Sequence, residues 1–573
     1  MLFASFDFLL FFTVAFAGYW ALSGRPGWRA LWVVLASYFF YMASSKPVEG
    51  PLPTPWYFVG LLIASTLVDY FCGLRIAAVQ ARLGTPSQSQ RPESEAPRPR
   101  PGRIWLLASI VANLGLLGYF KYTGFLLEVI ADTAGLFGAD THLPTVNILL
   151  PIGISFYTFQ SLSYTIDVYR GRLSAERSFV RFALFVAFFP QLVAGPIVRA
   201  SEFLPQLNRH PVLTRRDVDV AIWRVTKGLV KKVVFGDFIA ASFTDRVFAA
   251  PAEYSSLENL FALYAFTLQI YADFSGYSDI AIGVGRLLGF RIPENFNRPY
   301  QAVDVADFWR RWHMTLSSWL RDYVYYPLGG SRCSEGRTYL NLWVTMFLVG
   351  IWHGASWNFV IYALLQACAM VYHRFCQRRF ESREALARGL IGVSAAAAVG
   401  GMLLGSVGLK LVDPVQFGLV VGGLAFVIGI LPTVRERPAS QPFHVVLTFH
   451  FCVLARVFFR ADSLDSARAM AHALIYWDGF GIRAHLFDIP ALSAWLGRVP
   501  VLAWASPMAY WGVLLLLVAG LLFHFTPASA TRVVSERLIP RMPAVVMGMG
   551  LATLMGVVSL MLAGPRPNIY FAF

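Results

Sequence analysis

The stretch YLNLWVTMFLVGIWHGASWNFVIYALLQACAMVY, residues 339–372, decides the fold class. Among acids, bases and histidines it contains one ionisable residue, His353. As a single helix these 34 residues would measure about 50 Å, whereas the hydrocarbon core of a bilayer is about 30 Å thick. Gly350 and Gly354 bracket the histidine. We therefore predict that the helix breaks there and holds His353 deep in the protein.

The whole chain is composed like a membrane protein. Of its 573 residues, 57% are hydrophobic and 14% charged, and the mean hydropathy is +0.55. Soluble proteins carry about 25% charged residues. We expect an all-α polytopic membrane protein with about 11–14 membrane-embedded helices, including re-entrant and interfacial ones, around a central catalytic cavity. The apolar runs are 3–22, 30–45, 56–79, 104–120, 146–162, 179–198, 220–243, 258–290, 339–372, 386–409, 412–432, 443–459, 508–525 and 543–563.

The basic residues indicate how the chain is oriented. They number 48 against 33 acidic ones, which gives a formal net charge of +15. Nucleic-acid-binding proteins gather such charge on a soluble face, but here it lies mostly in short loops between apolar runs. This positive-inside pattern excludes a nucleic-acid partner, and it places the N-terminus outside and the arginine loops in the cytoplasm. The loops contain Arg25, Arg29, Arg75, Arg82, Arg91, Arg98, Arg100, Arg103, Arg170, Arg172, Arg177 and Arg181.

Composition divides the chain into five segments. Residues 84–103, GTPSQSQRPESEAPRPRPGR, are rich in Pro, Ser and Arg, which predicts a flexible cytoplasmic linker. The linker separates N-terminal transmembrane helices (1–83) from a core (104–460). Residues 461–507 mix charges with Leu, Ala and Trp, so we expect an amphipathic, extramembrane segment there. C-terminal transmembrane helices follow at 508–573.

His353 is the first candidate for chemistry. An ionisable side chain at membrane depth is costly and points to function by default. The alternative is a structural histidine that hydrogen-bonds a carbonyl at a kink. An imidazole with an ordinary pKa near 6.5 can accept a proton at neutral pH, so we assign His353 as a general base.

The second candidate lies in DVADFWRRWHMTLSSWLRDYVYYPLGG, residues 304–330. Placed on one helix at 100° per residue, residues 304–323 put Phe308, Trp312, Leu316, Trp319 and Tyr323 on one stripe. The opposite face would carry Arg310, His313, Met314, Ser317 and Arg321. We therefore expect His313 to face the same way as two arginines that bind a donor. The alternative is an interfacial helix whose basic residues reach lipid head groups.

Further polar residues are candidates for lining a substrate cavity. The insertion YADFSGYSD (271–279) interrupts an apolar run with Asp273, Ser275, Tyr277 and Asp279. These side chains either line the cavity or satisfy a broken helix. Weaker candidates for substrate binding are Asn297, Arg298, Trp309, Trp352 and Asn358.

Several motifs together resemble a known family. They are FFPQLVAGPIVRASEFLPQL (188–207), QIYADFSGYSDIAIGVGRLLGF (269–290), ENFNRPYQAVDVADFWRRWHMTLSSWLRDYVYYPLGG (294–330), GIWHGASWNF (350–359) and VFFRADSLDSA (457–467). In this order they resemble the membrane-bound O-acyltransferase (MBOAT) family, and within it the bacterial branch similar to the alginate O-acetyltransferase membrane subunit. The resemblance implies that His353 is the essential catalytic residue, that His313 occupies a second functional position, and that residues 104–460 form the catalytic core.

The resemblance also implies an activity. We expect an acetyl group to pass from a cytoplasmic thioester, acetyl-CoA or an acyl carrier, to hydroxyls of an exported polysaccharide such as alginate. His313 would position a substrate or hydrogen-bond the developing oxyanion. The expected setting is the bacterial inner membrane, with periplasmic acetyltransferases as partners and no permanently bound cofactor.

Three rival interpretations remain open. A transporter or channel would show internal repeats, and none is evident. A scaffold for polysaccharide export would not need His353. A metal site would need a histidine partner at helical spacing from His313 or His353, which the sequence lacks, so we expect no metal. Transfer of D-alanyl or another acyl group to an envelope polymer is a further alternative, and the polysaccharide acceptor is not specified.

Overall fold

The computed structural model describes residues 3–44, 57–84, 101–138, 148–379, 441–476 and 512–527, together with isolated positions between 533 and 550. Within these residues the regular structure is helical and includes no β-strand. The predicted all-α class is therefore confirmed.

The helices are numbered along the described chain. They are α1 (Phe6–Ala21), α2 (Pro26–Ser44), α3 (Phe58–Arg82), α4 (Arg103–Leu117), α5 (Thr123–Leu136), α6 (Ile154–Tyr169), α7 (Phe179–Ala187), α8 (Phe189–Leu192), α9 (Ala200–Phe203), α10 (Arg215–Leu229), α11 (Asp245–Ala249), α12 (Ser256–Leu287), α13 (Val305–Arg311), α14 (Met314–Leu320), α15 (Glu335–His353), α16 (Trp357–Arg379), α17 (Gln441–Arg460), α18 (Leu464–Ile475) and α19 (Gly512–Phe525). Wider π-helical turns occur at Gly118–Tyr122, Val230–Phe238, Ala240–Thr244 and Arg321–Tyr325.

Four of the described helical stretches are long and apolar enough to cross a membrane. They are Phe58–Arg82, Arg103–Gly135, Trp357–Arg378 and Pro442–Arg460, and α1 and α19 are shorter apolar helices. The chain is therefore a multi-pass membrane protein, as predicted. The apolar runs 386–409 and 412–432 and most of 543–563 lie outside the described residues. The total of membrane-embedded helices stays a prediction.

The described residues form two units. The first comprises those of Met1–Leu229 and Tyr277–Glu294, and the second those of Val230–Gly276 and Asn295–Gly564. In the first unit α3, α4 and α6 pack together around the buried carboxylate of Asp69. Ser109 donates a hydrogen bond of 2.6 Å to it, and the amide of Asn113 donates bonds of 2.9 Å. These bonds satisfy a polar group that would be costly to bury alone.

Helix α12 corrects one sequence interpretation. Its 32 residues form a continuous helix, so the polar side chains of YADFSGYSD do not satisfy a broken one. They meet basic side chains instead. In the second unit Asp273 lies 2.5 Å from the ammonium of Lys232. In the first unit Asp279 lies 2.6 Å from Arg224 and 2.9 Å from Lys227. The charges of this run are thus held by ion pairs.

The predicted helix over residues 304–323 is also wrong as a single element. Helix α13 ends at Arg311, and α14 starts at Met314. Between them His313 has a φ of 42°, in the left-handed region. The change of direction separates His313 from the two arginines: its side chain is fully buried, whereas Arg310 and Arg321 are exposed. The expected basic face around His313 does not exist.

The predicted segment boundaries are only partly covered by the structure. Residues 85–100 of the linker and 477–507 of the amphipathic segment lie outside the described residues. Ser463 caps the N-terminus of helix α18: its hydroxyl accepts a hydrogen bond from the backbone N–H of Ser466. Its buried residues include Ala467 and Met470, and it packs on α16 and α17. The five-segment division stays a prediction.

Candidate active site

His353 is the last residue of α15, and its side chain is buried with 2% of its surface exposed. Gly354 then takes an extended conformation and α16 starts at Trp357. The predicted break of the 34-residue run at the histidine is therefore confirmed. The imidazole is thus carried by the last residue of α15, directly before the non-helical backbone that leads to α16.

Two glycines allow α15 and α16 to come together at this break. A Cβ on Gly350 would collide with the backbone and side chain of Ala363, and one on Gly354 would collide with the ring of Phe359. Glycine lacks that atom, so the two helices approach at backbone distance. The sequence thus fixes the place of His353 through the small residues on either side of it.

The imidazole of His353 faces an aromatic wall. The indole of Trp352 lies 5.0 Å away between ring centroids, Phe459 of α17 lies 5.1 Å away, and Tyr362 of α16 lies 6.2 Å away. These rings exclude water, and exclusion of water strengthens electrostatic interactions at the site. Phe459 belongs to the VFFRADSLDSA motif, which the structure brings to the histidine.

His313 is held by the side chain of Asn295. Its Nδ1 lies 3.1 Å from the amide oxygen Oδ1 of Asn295. The same oxygen accepts hydrogen bonds from the hydroxyl of Thr315 at 2.8 Å and from its backbone N–H at 3.3 Å. A backbone N–H can only donate, so the atom facing His313 is an acceptor. His313 therefore donates its Nδ1–H and carries a lone pair on Nε2.

Burial keeps His313 neutral. The residue lies outside the four membrane-length helices, and burial lowers the pKa of its imidazole to about 3. The rings of Phe274 at 4.8 Å and Trp352 at 5.6 Å pack against it. At neutral pH this histidine is thus a hydrogen-bond acceptor at Nε2 and not a cation.

Trp352 connects the two candidate histidines. Its indole contacts His313 with 5.6 Å between ring centroids and His353 with 5.0 Å. The two imidazoles therefore share one buried aromatic neighbour, although 39 residues lie between them in the sequence. Of the predicted substrate-binding residues, Trp352 is the one that the structure places against both.

Arg456 is a buried residue that the sequence analysis missed. It lies in α17, 2% exposed, with its guanidinium 4.9 Å from the ring centroid of Trp312 and 5.2 Å from that of Phe459. One guanidinium nitrogen lies 3.5 Å from the hydroxyl of Tyr362. Phe459 and Tyr362 are also neighbours of His353, so two of the aromatic residues around the histidine also contact the positively charged Arg456. A lone arginine within the apolar run 443–459 was the signal that could have revealed it.

Lys232 forms a buried ion cluster with two carboxylates. Its ammonium lies 2.7 Å from Asp237 and 2.5 Å from Asp273, and all three side chains are buried. Lys232 and Asp237 stand on the π-helical turn Val230–Phe238. Gly236 allows this turn to approach α12, because a Cβ there would lie 3.3 Å from the Cα of Asp273. Asp273, predicted to bind substrate, is thus engaged in an ion pair.

The other predicted substrate-binding residues are dispersed. Trp309 donates from its indole to Gln366 at 3.2 Å, and Asn358 donates to the carbonyl of Ala461 at 2.8 Å. Both groups hold neighbouring elements together. Ser275 is buried in α12.

The remaining predicted residues have other contacts or lie at the surface. Tyr277 belongs to the first unit, where its ring stacks on Phe3 at 4.5 Å. Asn297 is exposed, and Arg321 pairs with Asp322 at 2.8 Å. Arg310 lies 3.5 Å from Asp307, with 57% of its side chain exposed.

Comparison with known proteins places the chain in a family. The family model of the membrane-bound O-acyltransferases, MBOAT, matches residues 170–407. The probable alginate O-acetylase AlgI of Pseudomonas putida is 40% identical over 365 residues, which are 63% of this chain and 68% of that protein. The chain belongs to the membrane-bound O-acyltransferase family. The family resemblance of the sequence motifs is thereby confirmed.

Other relatives of this MBOAT protein carry different names. AlgI of Pseudomonas aeruginosa is 42% identical over 365 residues, 63% of this chain and 64% of that protein. The peptidoglycan O-acetyltransferase of Helicobacter pylori is 36% identical over 393 residues, 64% and 68% of the two chains. The teichoic acid D-alanyltransferase of Bacillus subtilis is 29% identical over 248 residues, 41% and 62%. The chain thus spans less than two thirds of the length of several relatives, so its activity, substrates and partners follow as proposals.

Proposed function

We propose that this MBOAT protein transfers an acetyl group from a cytoplasmic thioester towards hydroxyls of an exported polysaccharide. The observation that carries the proposal is the buried pair of histidines on either side of Trp352. One of them, His353, sits at the end of a helix, where irregular backbone can border a substrate cavity.

The reaction needs one proton to move twice. His353 takes the proton of the attacking hydroxyl as its oxygen bonds to the thioester carbonyl carbon. The carbon–sulfur bond then breaks, and the imidazolium returns the proton to the leaving thiolate. The products are an O-acetyl ester and a free thiol, and His353 ends in its starting state. No acyl-enzyme is required.

His313 supports this reaction as an acceptor. Because its Nδ1–H is donated to Asn295, neutral His313 cannot also donate to an oxyanion from Nε2. Its Nε2 lone pair instead suits a hydrogen bond from the substrate hydroxyl, which would orient that oxygen. Of the two roles that the sequence suggested for His313, positioning a substrate is the one supported by this tautomer. The nearby Arg456 supplies fixed positive charge for the developing oxyanion.

The acyl group and the acceptor are inferred from the relatives. The names of three relatives specify O-acetyl transfer to alginate or peptidoglycan, at 40–42% and 36% identity. The relative named for D-alanyl transfer is less similar, at 29%. We therefore propose acetyl as the acyl group and an alginate-like polymer as the acceptor. Acetyl-CoA as the donor is part of the proposal and comes from the resemblance of the sequence motifs alone. The inner membrane as location and periplasmic acetyltransferases as partners belong to the same proposal.

The test is His353→Ala in the bacterium that makes the polymer. General acid–base catalysis contributes about 10²–10⁴-fold, so base-labile acetate on the polymer, measured by NMR, should fall below detection. His472→Ala is the matched control, since His472 is exposed and stacks on Tyr476. The amount of each variant in the membrane is measured by immunoblot.

Each outcome has a defined meaning. Loss of acetate in His353→Ala alone, at normal membrane levels, supports the proposal. Unchanged acetate would contradict it and favour the scaffold. Loss of exported polymer itself, and not only of its acetate, would favour the transporter. Among the described residues no group of three or more His, Cys, Asp or Glu side chains could hold a metal ion, and the proposed reaction uses none.

A further inference from the structure

The first unit contains a cavity whose lining includes neither His353 nor His313. Its volume is about 510 Å³, within the range of small-molecule sites. Arginines from four separate parts of this unit line it: Arg29 of α2, Arg181 of α7, Arg209 after α9, and Arg286 in the last turn of α12 with Arg291 shortly after that helix. Arg29 and Arg181 are among the basic residues for which the sequence predicts a cytoplasmic location.

The cavity has more positive charge than its own carboxylates balance. Asp217 also lines it and lies 3.0 Å from Arg286. Arg181 lies 3.1 Å from Glu176. Within the part of the chain that the structure describes, Arg29, Arg209 and Arg291 have no ion pair with a carboxylate.

Arg29 is the strongest indication of a ligand. Its side chain is 7% exposed, and its guanidinium lies over the ring of Tyr19 at 5.3 Å. One nitrogen donates to the carbonyl of Ser23 at 3.3 Å. A buried guanidinium without an anion is costly, so a cavity beside it favours an anionic occupant.

The wall that carries Arg291 is held rigidly. The side chain of Gln206 accepts from the backbone N–H of Arg291 at 2.8 Å and donates to its carbonyl at 3.1 Å. Gly289 precedes it with a φ of 76°, and a Cβ there would lie 3.1 Å from Pro211. The arginine is thus presented by backbone that is ordered before a ligand arrives, which lowers the entropic cost of binding.

We propose that this cavity binds a phosphoryl group. Planar guanidinium groups form paired hydrogen bonds with phosphate oxygens, and several of them converge here from different elements. The phosphoryl group can belong to the head group of an anionic phospholipid, which is abundant at a cytoplasmic membrane surface, or to a soluble phosphate compound. The proposal does not depend on the acyl-transfer reaction.

Binding to the full-length protein in detergent tests the proposal. The probes are phosphatidylglycerol with six-carbon chains and inorganic pyrophosphate, and the readout is microscale thermophoresis. The variant Arg209→Gln/Arg291→Gln removes two exposed side chains of the cavity. We expect at least about tenfold weaker binding, which is about 1.4 kcal/mol.

The matched control removes the same charge outside the cavity. Arg215 and Arg216 are exposed at the start of α10 and do not line it, so Arg215→Gln/Arg216→Gln should bind like the wild type. Selective loss of phosphatidylglycerol binding supports a lipid head group, and selective loss of pyrophosphate binding supports a soluble phosphate. The proposal is overturned if the wild type binds neither probe or if both double variants lose binding equally. Size-exclusion chromatography verifies that both variants are folded.

Discussion

Gly350→Ala tests whether the contact between α15 and α16 sets the position of His353. A Cβ at Gly350 would lie 3.0 Å from the backbone nitrogen of Ala363 and closer still to the Cα and Cβ of that residue. Non-bonded carbon atoms prefer about 3.5–4.0 Å. The obstacle is helix backbone, so rotation of a side chain cannot remove it. The two helices would have to separate by about 1 Å.

The substitution should affect both folding and the rate of the reaction. Forcing one extra carbon into a packed contact costs about 1–3 kcal/mol of folding free energy. His353 lies three residues further along the same helix, at the break that the contact defines. A displacement of about 1 Å in an active site can reduce the rate about 100-fold. We therefore expect a protein that still inserts but acetylates the polymer about 100-fold less.

Gly336→Ala is the control within the same helix. Nothing lies within 4 Å of a Cβ at Gly336, and alanine is favoured over glycine in a helix by about 1 kcal/mol. This variant should be fully active. Acetate on the polymer and the thermal midpoint of the purified protein are measured for both variants. If Gly350→Ala matched the wild type in both, the reasoning about the helix contact would be refuted.

Three further predictions concern His313 and Arg456. His313→Asn keeps a donor for Asn295 but loses the Nε2 lone pair, so acetylation should fall while the protein still folds. Burial lowers the pKa of His313 to about 3, so between pH 6.5 and 3 the unfolded chain binds a proton that the folded protein does not. The wild type, unlike His313→Asn, should therefore lose stability as the pH falls from 6.5 towards 3, by up to about 1.4 kcal/mol per pH unit. Thermal midpoints at pH 7.5 and 5.5 check this. Arg456→Lys should not restore the acetylation lost in Arg456→Gln, because an ammonium cannot stack on Trp312 as the planar guanidinium does, and equal acetylation in Arg456→Lys and the wild type would contradict this.

The sequence predicted the helix break at His353 and the burial of its side chain. A lone ionisable residue between two glycines, in an apolar run too long for one span, contains enough information to place a buried helix break. The rule behind that prediction is local: segment length and glycine position decide it. The contacts of His353 with Phe459 and Tyr362 were beyond such a rule, because Phe459 is distant in the chain and Tyr362 lies on the next helix, so both meet the histidine only through packing.

The sequence did not predict the setting of His313. The projection at 100° per residue assumed one continuous helix, and the pattern of Phe308, Trp312 and Leu316 was compatible with it. The break arises from contacts with residues 295–297, which no helical periodicity reveals. The ion pair of Asp273 could not be predicted either, because its partner Lys232 lies on a π-helical turn 41 positions earlier in the chain.

The backbone strain at His313 is itself an argument for its function. Among the described residues, His313 and Arg298 are the non-glycine residues with positive φ, at 42° and 48°. A left-handed conformation costs a residue with a side chain about 1–2 kcal/mol. Backbone hydrogen bonds of 2.9 Å, from Met314 to Asn295 and from Asn297 to Arg311, clamp the segment around it, and Asn295 also binds the imidazole. Glycine would adopt this turn without strain. A histidine held there at a cost, neutral and in one tautomer beside Trp352, supports the proposal that its Nε2 accepts a hydrogen bond from a substrate.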